Sequence, residues 1–505
     1  MLAHVQSFVL EGIDALRCEV EVDVSDKSLP GTTVVGLPDA AVRESMERVR
    51  AAVLNSGYEF PVGRVLVNLA PADVRKEGPV YDLPIAIGLL RAVGVVHNDA
   101  RLGTCAVAGE LALDGRVRPV SGIINMAIMA ESQNIKVAIV PKANAAEAAV
   151  ISSLKVFGIE TLAEAVGILN HESEQQPVDP VDIESLIAEA RPELDFSDIV
   201  GQEAPKRAVV IAAAGSHNVL MIGPAGTGKT MLAKALPGIL PPMSRQEAIE
   251  VTRIWSTAGL LRNGESIVRL RPIRTPHHTA SSVALVGGGT IPKPGEVSLA
   301  HNGALFLHEL PEFGRNVLET LRQPLEDRYV TVSRVHSSAR FPAAFMLVAA
   351  MNPTRKGDLP DADDIAGRRE MDRYLARISG PLLDRIDIHV EVPRVPYKQL
   401  RRGGNGAGTA ELAAKVMAAR NIQRQRQGEK PNAFLSGKEL NRLVNLDEAA
   451  EQLLGQAMQE MNLSARAYDK IRRVARTIAD LDESETVTLS HVAEAVQYRL
   501  LDRRF

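Results

Sequence analysis

The sequence predicts an α/β protein: a core built on a parallel sheet, an α/β domain before it and a helical domain after it. Three observations carry this. An apolar run, Asn218-Val-Leu-Met-Ile222, leads through the glycine-rich octet Gly223-Pro224-Ala225-Gly226-Thr227-Gly228-Lys229-Thr230 into the helical pattern Met231-Leu-Ala-Lys-Ala-Leu236, the strand–loop–helix unit of a parallel sheet. Upstream, short β-like runs alternate with helical stretches. Downstream, apolar residues recur at three- and four-residue intervals in one segment after another, the period of helices.

With 505 residues the chain exceeds what one core fills and predicts about three domains. Residues 1–170 form the first, with strands at Val5-Gln-Ser-Phe-Val9, Cys18-Glu-Val-Glu-Val22, Val65-Leu-Val-Asn-Leu69 and Val137-Ala-Ile-Val140, and helices over Ala40 to Asn55 and Leu83 to Val93. Residues 171–195 turn polar and acidic around Pro177, Pro180 and Pro192, a linker carrying one short helix. Residues 196–395 form the core, with a second apolar strand at Gly303-Ala-Leu-Phe-Leu307. The last domain, residues 396–505, opens with Arg401-Arg-Gly-Gly-Asn-Gly-Ala-Gly-Thr409, which reads as a flexible loop. It continues as helices from Ala410 to Gln427, Gly437 to Gln459, Ala465 to Ala479 and Leu489 to Tyr498.

Hydrophobic content of 45% and charged content of 24% are those of a globular chain and exclude a disordered one. No secretion signal pattern and no run of about 18 apolar residues is seen, so the expected compartment is the cytoplasm, with no membrane partner. Cys18 and Cys105 lack metal-ligand spacing and read as buried free thiols. The net charge of −4 says little about nucleic acid, but residues 394–505 hold 19 Lys and Arg against 14 Asp and Glu, a local +5.

The octet is a phosphate-binding loop in its proper context. Gly223 through Gly228 let backbone N–H groups turn on the phosphates of a nucleoside triphosphate, Lys229 supplies a point charge, and the Thr230 hydroxyl at a helix start suits Mg²⁺. ATP and Mg²⁺ are therefore the expected cofactors. Roughly 80 residues on, the strand ending at Leu307 delivers Glu309, the expected catalytic base. His308 stands where such ATPases usually carry Asp beside the metal, so weaker Mg²⁺ binding or slower hydrolysis is expected.

Further motifs are Arg274-Thr-Pro-His-His278, Gly295-Glu-Val-Ser-Leu-Ala-His-Asn-Gly-Ala-Leu-Phe-Leu307, Glu309-Leu-Pro-Glu-Phe313, Arg322-Gln-Pro-Leu-Glu326, Ala350-Met-Asn-Pro353 and Ile378-Ser-Gly-Pro-Leu-Leu-Asp-Arg-Ile-Asp387. Together with the loop they resemble the magnesium-chelatase-like AAA+ ATPases of bacteria over essentially the whole chain. The resemblance implies a hexameric ring with nucleotide sites between subunits and branched or single-stranded DNA in its channel. In function it implies an ATP-dependent DNA motor of the branch-migration type, promoting integration of transforming DNA by homologous recombination. It also implies that Asn352 is the polar sensor, Arg385 the arginine finger and Arg466 the second sensor of a helical lid. A chelatase-type subunit inserting Mg²⁺ into a porphyrin, and an ATP-switched scaffold with weak hydrolysis, are the competing functions.

Residues 1–170 resemble the proteolytic domain of Lon-type proteases, with Lys76-Glu-Gly-Pro79 matching the approach to the nucleophilic serine. Val80 and Tyr81 follow where that serine belongs, and Pro119-Val-Ser-Gly-Ile123 lacks the dyad lysine, so no acyl-transfer chemistry is expected. For DNA, the insert ahead of Glu309 carries Arg253, Arg262, Arg271, Arg274 and Lys293, and a hairpin over Tyr329 to Arg340 places Arg334, His336 and Arg340 near its tip. Arg262, Lys293, Arg334, His336 and Arg340 are the expected DNA contacts. Arg355 and Lys356, and the group Arg420, Arg424, Arg426 and Lys430, are further basic candidates, with a solvated surface as the competing reading.

Overall fold

Alternating burial along the first two strands sets the N-terminal sheet. β1 (Leu2–Glu11) and β2 (Asp14–Ser25) pair antiparallel, Leu2 opposite Asp23 through Glu11 opposite Asp14. Val20 and Val22 are fully buried, while Glu19 and Glu21 on the other face are not. β3 (Gly31–Val35), β4 (Arg64–Ala70), β5 (Cys105–Val107), the short ribbon of β6 (Glu110–Leu111) and β7 (Val117–Arg118), β8 (Val137–Pro141) and β9 (Lys155–Ile159) follow. The seven-stranded sheet has the order β3-β4-β2-β1-β5-β8-β9. The computed structural model describes residues 2–25, 29–98, 102–289, 292–334, 337–354, 364–402 and 406–499.

Helix Ala40–Asn55 starts where Asp39 accepts a hydrogen bond from Val42 N at 2.7 Å. Helix Asp82–Ala92 is apolar nearly all round and buried, which suits a helix packed on both the sheet and its neighbour. Its one buried carboxylate, Asp82, is gripped by Arg48 through bonds of 2.8 and 3.1 Å. Cys18 and Cys105 are buried free thiols, and burial pushes the Cys18 thiol up to about 12.

Two compact units emerge, residues 1–186 with 245–268 and 335–340, and residues 187–244 with 269–334 and 341–505. This differs from a core running unbroken through 196–395. The helix Arg245–Thr257 belongs to the first unit because its buried face, including Val251, Ile254 and Ser256, packs on helix Ile123–Ser132. Ser256 donates to the buried carboxylate of Glu147 and accepts from Gly122 N at 2.9 Å, and Asn125 Nδ2 donates to Thr257 Oγ1 at 2.9 Å. Arg253 donates to Asn125 Oδ1 at 2.9 Å and to Asp14 Oδ1 at 2.5 Å.

The second unit holds β10 (Val219–Ile222), β11 (Ile273–Arg274), a small pair of β12 (Gly287–Gly288) and β13 (Lys293–Pro294), β14 (Ala304–His308), β15 (Tyr329–Arg334), the end of β16 (Ser337–Pro342, whose residues 337–340 belong to the first unit), β17 (Met346–Met351) and β18 (Ile388–Glu391). Its main sheet is parallel, in the order β11-β14-β17-β10-β18. β17 is buried throughout, so it reads as a continuous apolar run and not as an alternation, as a strand covered on both faces should.

Helices Thr409–Gln427, Gly437–Leu443, Glu448–Glu460, Ala465–Leu481 and Leu489–Gln497 close the chain. The expected single helix over Gly437 to Gln459 is two. Asp447 caps the second by accepting from Ala450 N at 2.7 Å, and Leu446 bridges to Val487, which pulls the backbone out of the helix between them. Arg401 and Arg402, expected in a loop, end the helix Tyr397–Arg402; residues 403–405 lie outside the described residues. Of the basic group in this domain, three half-buried members have partners, Arg426 binding Asp480 at 2.6 and 2.9 Å, Lys430 binding Glu439 at 2.7 Å and Arg420 donating to Ser216 Oγ at 2.7 Å, while Arg424 is exposed beside Glu429.

Candidate nucleotide-binding site

Three parallel strands end at one place. Gly223 follows β10, Glu309 follows β14 and Asn352 follows β17, because Ile222 is registered opposite Met351 and His308 opposite Ala350. Loops at the carboxyl ends of adjacent parallel strands form the crevice where open α/β sheets take ligands. The octet turns as its glycines require. Gly226 and Gly228 have φ of 75° and 92°, and a Cβ on Gly223 would lie 2.1 Å from Val392 O. Thr227 Oγ1 donates to Pro224 O at 3.0 Å, Ala225 is exposed, and Thr230 is half-buried in the first turn of helix Lys229–Ala235.

Lys229 is 5% exposed, and its Nζ donates to Gly223 O at 2.6 Å, Pro224 O at 2.7 Å and Asn352 Oδ1 at 3.2 Å. Burial lowers its pKa to about 8, an effect the nearby Glu309 charge opposes. An ammonium held only by neutral acceptors can exchange them for phosphate oxygens and gain charge pairing.

Glu309 sits at φ 57°, a left-handed conformation uncommon for glutamate. Its Oε2 lies 3.5 Å from His278 Nδ1 and its Oε1 4.0 Å from His308 Nδ1. His278, stacked on His277 with ring centroids 4.2 Å apart, thus joins the site. Tyr374 is pushed up to about 12 by burial and then by Glu312 and Glu309. Gln202, outside every motif named above, also supports the loop. Its Nε2 braces the loop through Thr227 O at 2.9 Å and ties it to Pro393 O at 2.7 Å, and the residue stands at φ 62°. The signal available was a Gly201-Gln202 pair directly before a helix.

Arg385 and Arg466 do not join this crevice. β18 runs parallel to β10 with Val219 opposite Ile388, so Arg385 stands at the amino-terminal end of the strands, away from the loop. Its guanidinium pairs with Glu326 and donates to Pro381 O at 2.6 Å, leaving the side chain 12% exposed. Arg466 stays with it: Nη1 lies 3.7 Å from Asp384 Oδ2, and the side chain is 70% exposed.

Among the DNA candidates, Arg262 and Lys293 are exposed and fall in different units. Arg340 is exposed on β16, Arg334 ends β15, and His336, like Arg355 and Lys356, lies outside the described residues. Three insert arginines have structural partners. Arg253 is bound as described, Arg271 donates to Pro241 O at 2.6 Å and Asn302 O at 2.7 Å, and Arg274 forms a bidentate pair with Glu296 at 2.7 and 2.9 Å.

Three family models cover most of the chain: "Subunit ChlI of Mg-chelatase" at residues 20–144, "Magnesium chelatase, subunit ChlI" at 195–400 and "Magnesium chelatase, subunit ChlI C-terminal" at 406–499. "Competence protein ComM" of Haemophilus influenzae is 44% identical over 99% of this chain and 98% of its own length. The chain belongs to the magnesium-chelatase-like AAA+ family. Within the family it is also similar to the uncharacterized protein YifB of Escherichia coli, 44% identical over 97% of this chain and 96% of that protein. The "Magnesium-chelatase 38 kDa subunit" of Rhodobacter capsulatus matches over 34% of this chain, at 29% identity. Among the described residues no helix is long and apolar enough to cross a membrane.

Proposed function

We propose that the protein is a cytoplasmic, ring-forming ATPase that moves branched or single-stranded DNA, acting as a branch-migration motor in the uptake of DNA by recombination. The observation that carries the reading is the placement of Lys229, Asn352 and Glu309 at one end of the parallel sheet while Arg385 and Arg466 occupy the other. In this reading Gly223–Thr230 cradles the phosphates of ATP, Thr230 holds Mg²⁺, and Glu309 takes the proton of the attacking water that Asn352 orients. A guanidinium at the far end of its own sheet serves no chemistry in its own site. It fits a neighbour's, which supports a closed hexamer in which Arg385 acts across the subunit boundary. The name of the Haemophilus relative, a competence protein, favours DNA over a porphyrin as the second substrate.

The test is ATP hydrolysis with and without forked DNA, with strand displacement followed in parallel. DNA should raise turnover several-fold, and a three-way junction should be resolved only with hydrolysable ATP. Turnover indifferent to every DNA would remove the motor reading. Mixing Arg385→Ala with Lys229→Ala subunits tests the boundary: recovered hydrolysis in mixed rings is expected, and none, once mixing is shown, would place the finger elsewhere.

A further inference from the structure

Helix Ala465–Leu481 meets the Arg385 segment with a second basic side chain. Lys470 lies one turn beyond Arg466, about 6 Å along the axis. It is 6% exposed, and its Nζ donates to the carbonyl oxygens of Asp384 and, at 3.1 Å, of Ile386. These two carbonyls flank Arg385. The carbonyl of Arg385 itself accepts from Asn218 Nδ2 at 2.8 Å, and Arg499 donates to Ile386 O at 2.8 Å. Three consecutive carbonyls ahead of β18 are thus satisfied by side chains, where neither helix nor ladder supplies partners.

Lys470 also faces the buried carboxylate of Asp387, which, despite its burial, is held down to about 2 by the His217 hydrogen bond and then by the Lys470 charge, but the two carbonyls lie nearer to Nζ. Asp387 Oδ1 is 4.0 Å from Nζ, farther than either carbonyl, and Oδ2 already has Asn218 N at 3.2 Å and His217 Nδ1 at 3.5 Å. The geometry of Nζ is that of a clamp on backbone. A buried ammonium on two carbonyls holds a turn more tightly than a neutral donor would, because charge-assisted bonds are about twice as strong.

We infer that Lys470 is a positioning residue that locks the 384–386 backbone to the lid helix, so that Arg385 and Arg466 stand in fixed register and meet the same phosphate group of a bound nucleotide. This rests on the reading of Arg385 as a finger acting on a neighbouring subunit. Arg466 and Lys470 share one rigid helix, so a shift of that helix moves both arginines together. Without the clamp Arg385 keeps its bond to Glu326 and the Asn218 bond to its carbonyl, and Ile386 O keeps Arg499, but the Asp384 carbonyl ahead of Arg385 loses its tie to the lid helix.

The experiment compares Lys470→Met, Lys470→Arg, Arg385→Ala and the Lys470→Met/Arg385→Ala pair in the full chain, reading steady-state ATPase with forked DNA, ATP affinity and thermal melting. Lys470→Met should lower kcat at least tenfold with KM and ATP affinity within about twofold of the parent, and Lys470→Arg should restore most of the rate. The double variant should be no slower than Arg385→Ala alone, since both changes remove one function. A parental kcat for Lys470→Met beside an inactive Arg385→Ala overturns the inference and leaves the finger intact, as does a double variant slower by the product of the single losses. A fully active Arg385→Ala overturns the finger and the inference with it. Should Lys470→Met fail to fold, Lys470→Gln, which keeps only a neutral donor, replaces it: kcat should fall at least threefold with ATP affinity within about twofold, and a parental kcat beside an inactive Arg385→Ala overturns the inference.

Discussion

Two buried lysines, one in each unit, show what separates a site from a strut. Lys76 is fully buried, with Nζ donating to Pro71 O and, at 2.8 Å, to Val74 O. Lys229 is nearly as buried and also rests on two carbonyls of its own loop. Burial lowers both pKa values. The difference lies in what else converges. Lys229 adds the Asn352 amide from a second strand and the Glu309 charge from a third, around a glycine loop with backbone free to turn. Lys76 has near it Asp73 of its own loop and the Cys18 thiol of β2, which burial pushes up to about 12, and Val80 and Tyr81 follow in the sequence where the resembled proteases would offer a nucleophile. A perturbed lysine becomes a site only when separate elements aim complementary chemistry at it.

The sharpest way to break the comparison is to remove each ammonium. Lys229→Ala should weaken ATP binding on the order of a hundredfold, about 3 kcal/mol, and abolish turnover, measured by calorimetry and phosphate release. Lys76→Met should leave ATP affinity and turnover within about twofold while destabilising the fold by about 1–3 kcal/mol, because two carbonyls lose their donor. Equal effects on ATP from both lysines would erase the distinction.

Glu309→Gln should retain nucleotide affinity within about threefold and lower kcat by about 10²–10⁴, the usual worth of a positioned base. Single-turnover hydrolysis at the parental rate would remove Glu309 from that role.

A smaller effect follows from the Lys229 pKa of about 8 in the empty loop. Bound phosphate raises that pKa, so binding takes up a proton wherever the free lysine is neutral. ATP affinity should therefore be level below pH 8 and fall toward tenfold per pH unit above it. Lys229→Arg, protonated throughout, should show no such fall, and identical pH profiles for the two proteins would contradict the assignment.

The smallest expected effect concerns His308, 44% exposed and 4.0 Å from Glu309. His308→Asp adds a negative charge near the expected metal and should lower the Mg²⁺ concentration for half-maximal hydrolysis about two- to tenfold. Superimposable Mg²⁺ titrations would mean that the missing charge is supplied by another group.

The fold class and the loop were legible because they rest on local chemistry. The octet's glycines allow the left-handed turns that a phosphate cradle uses, and helix Ala40–Asn55 carries its apolar period and its Asp39 cap within a few residues of each other. The strands read from sequence were of the same kind, since β10 and β14 are apolar runs whose composition calls for burial on both faces. Which strands lie side by side was not, and strand order is what brings Asn352 and His278 to Lys229 and Glu309. The insert shows the same limit. Arg253, Arg271 and Arg274 are indistinguishable from Arg262 as letters, yet long-range partners from Asp14 to Asn302 occupy the first three. Charge in a sequence fixes what a side chain can bind; only the folded chain decides what reaches it first. For Arg385 the sequence supplied a guanidinium in a motif, and the parallel register of β10 and β18 set it at the end of the sheet from which its own glycine-rich loop is out of reach.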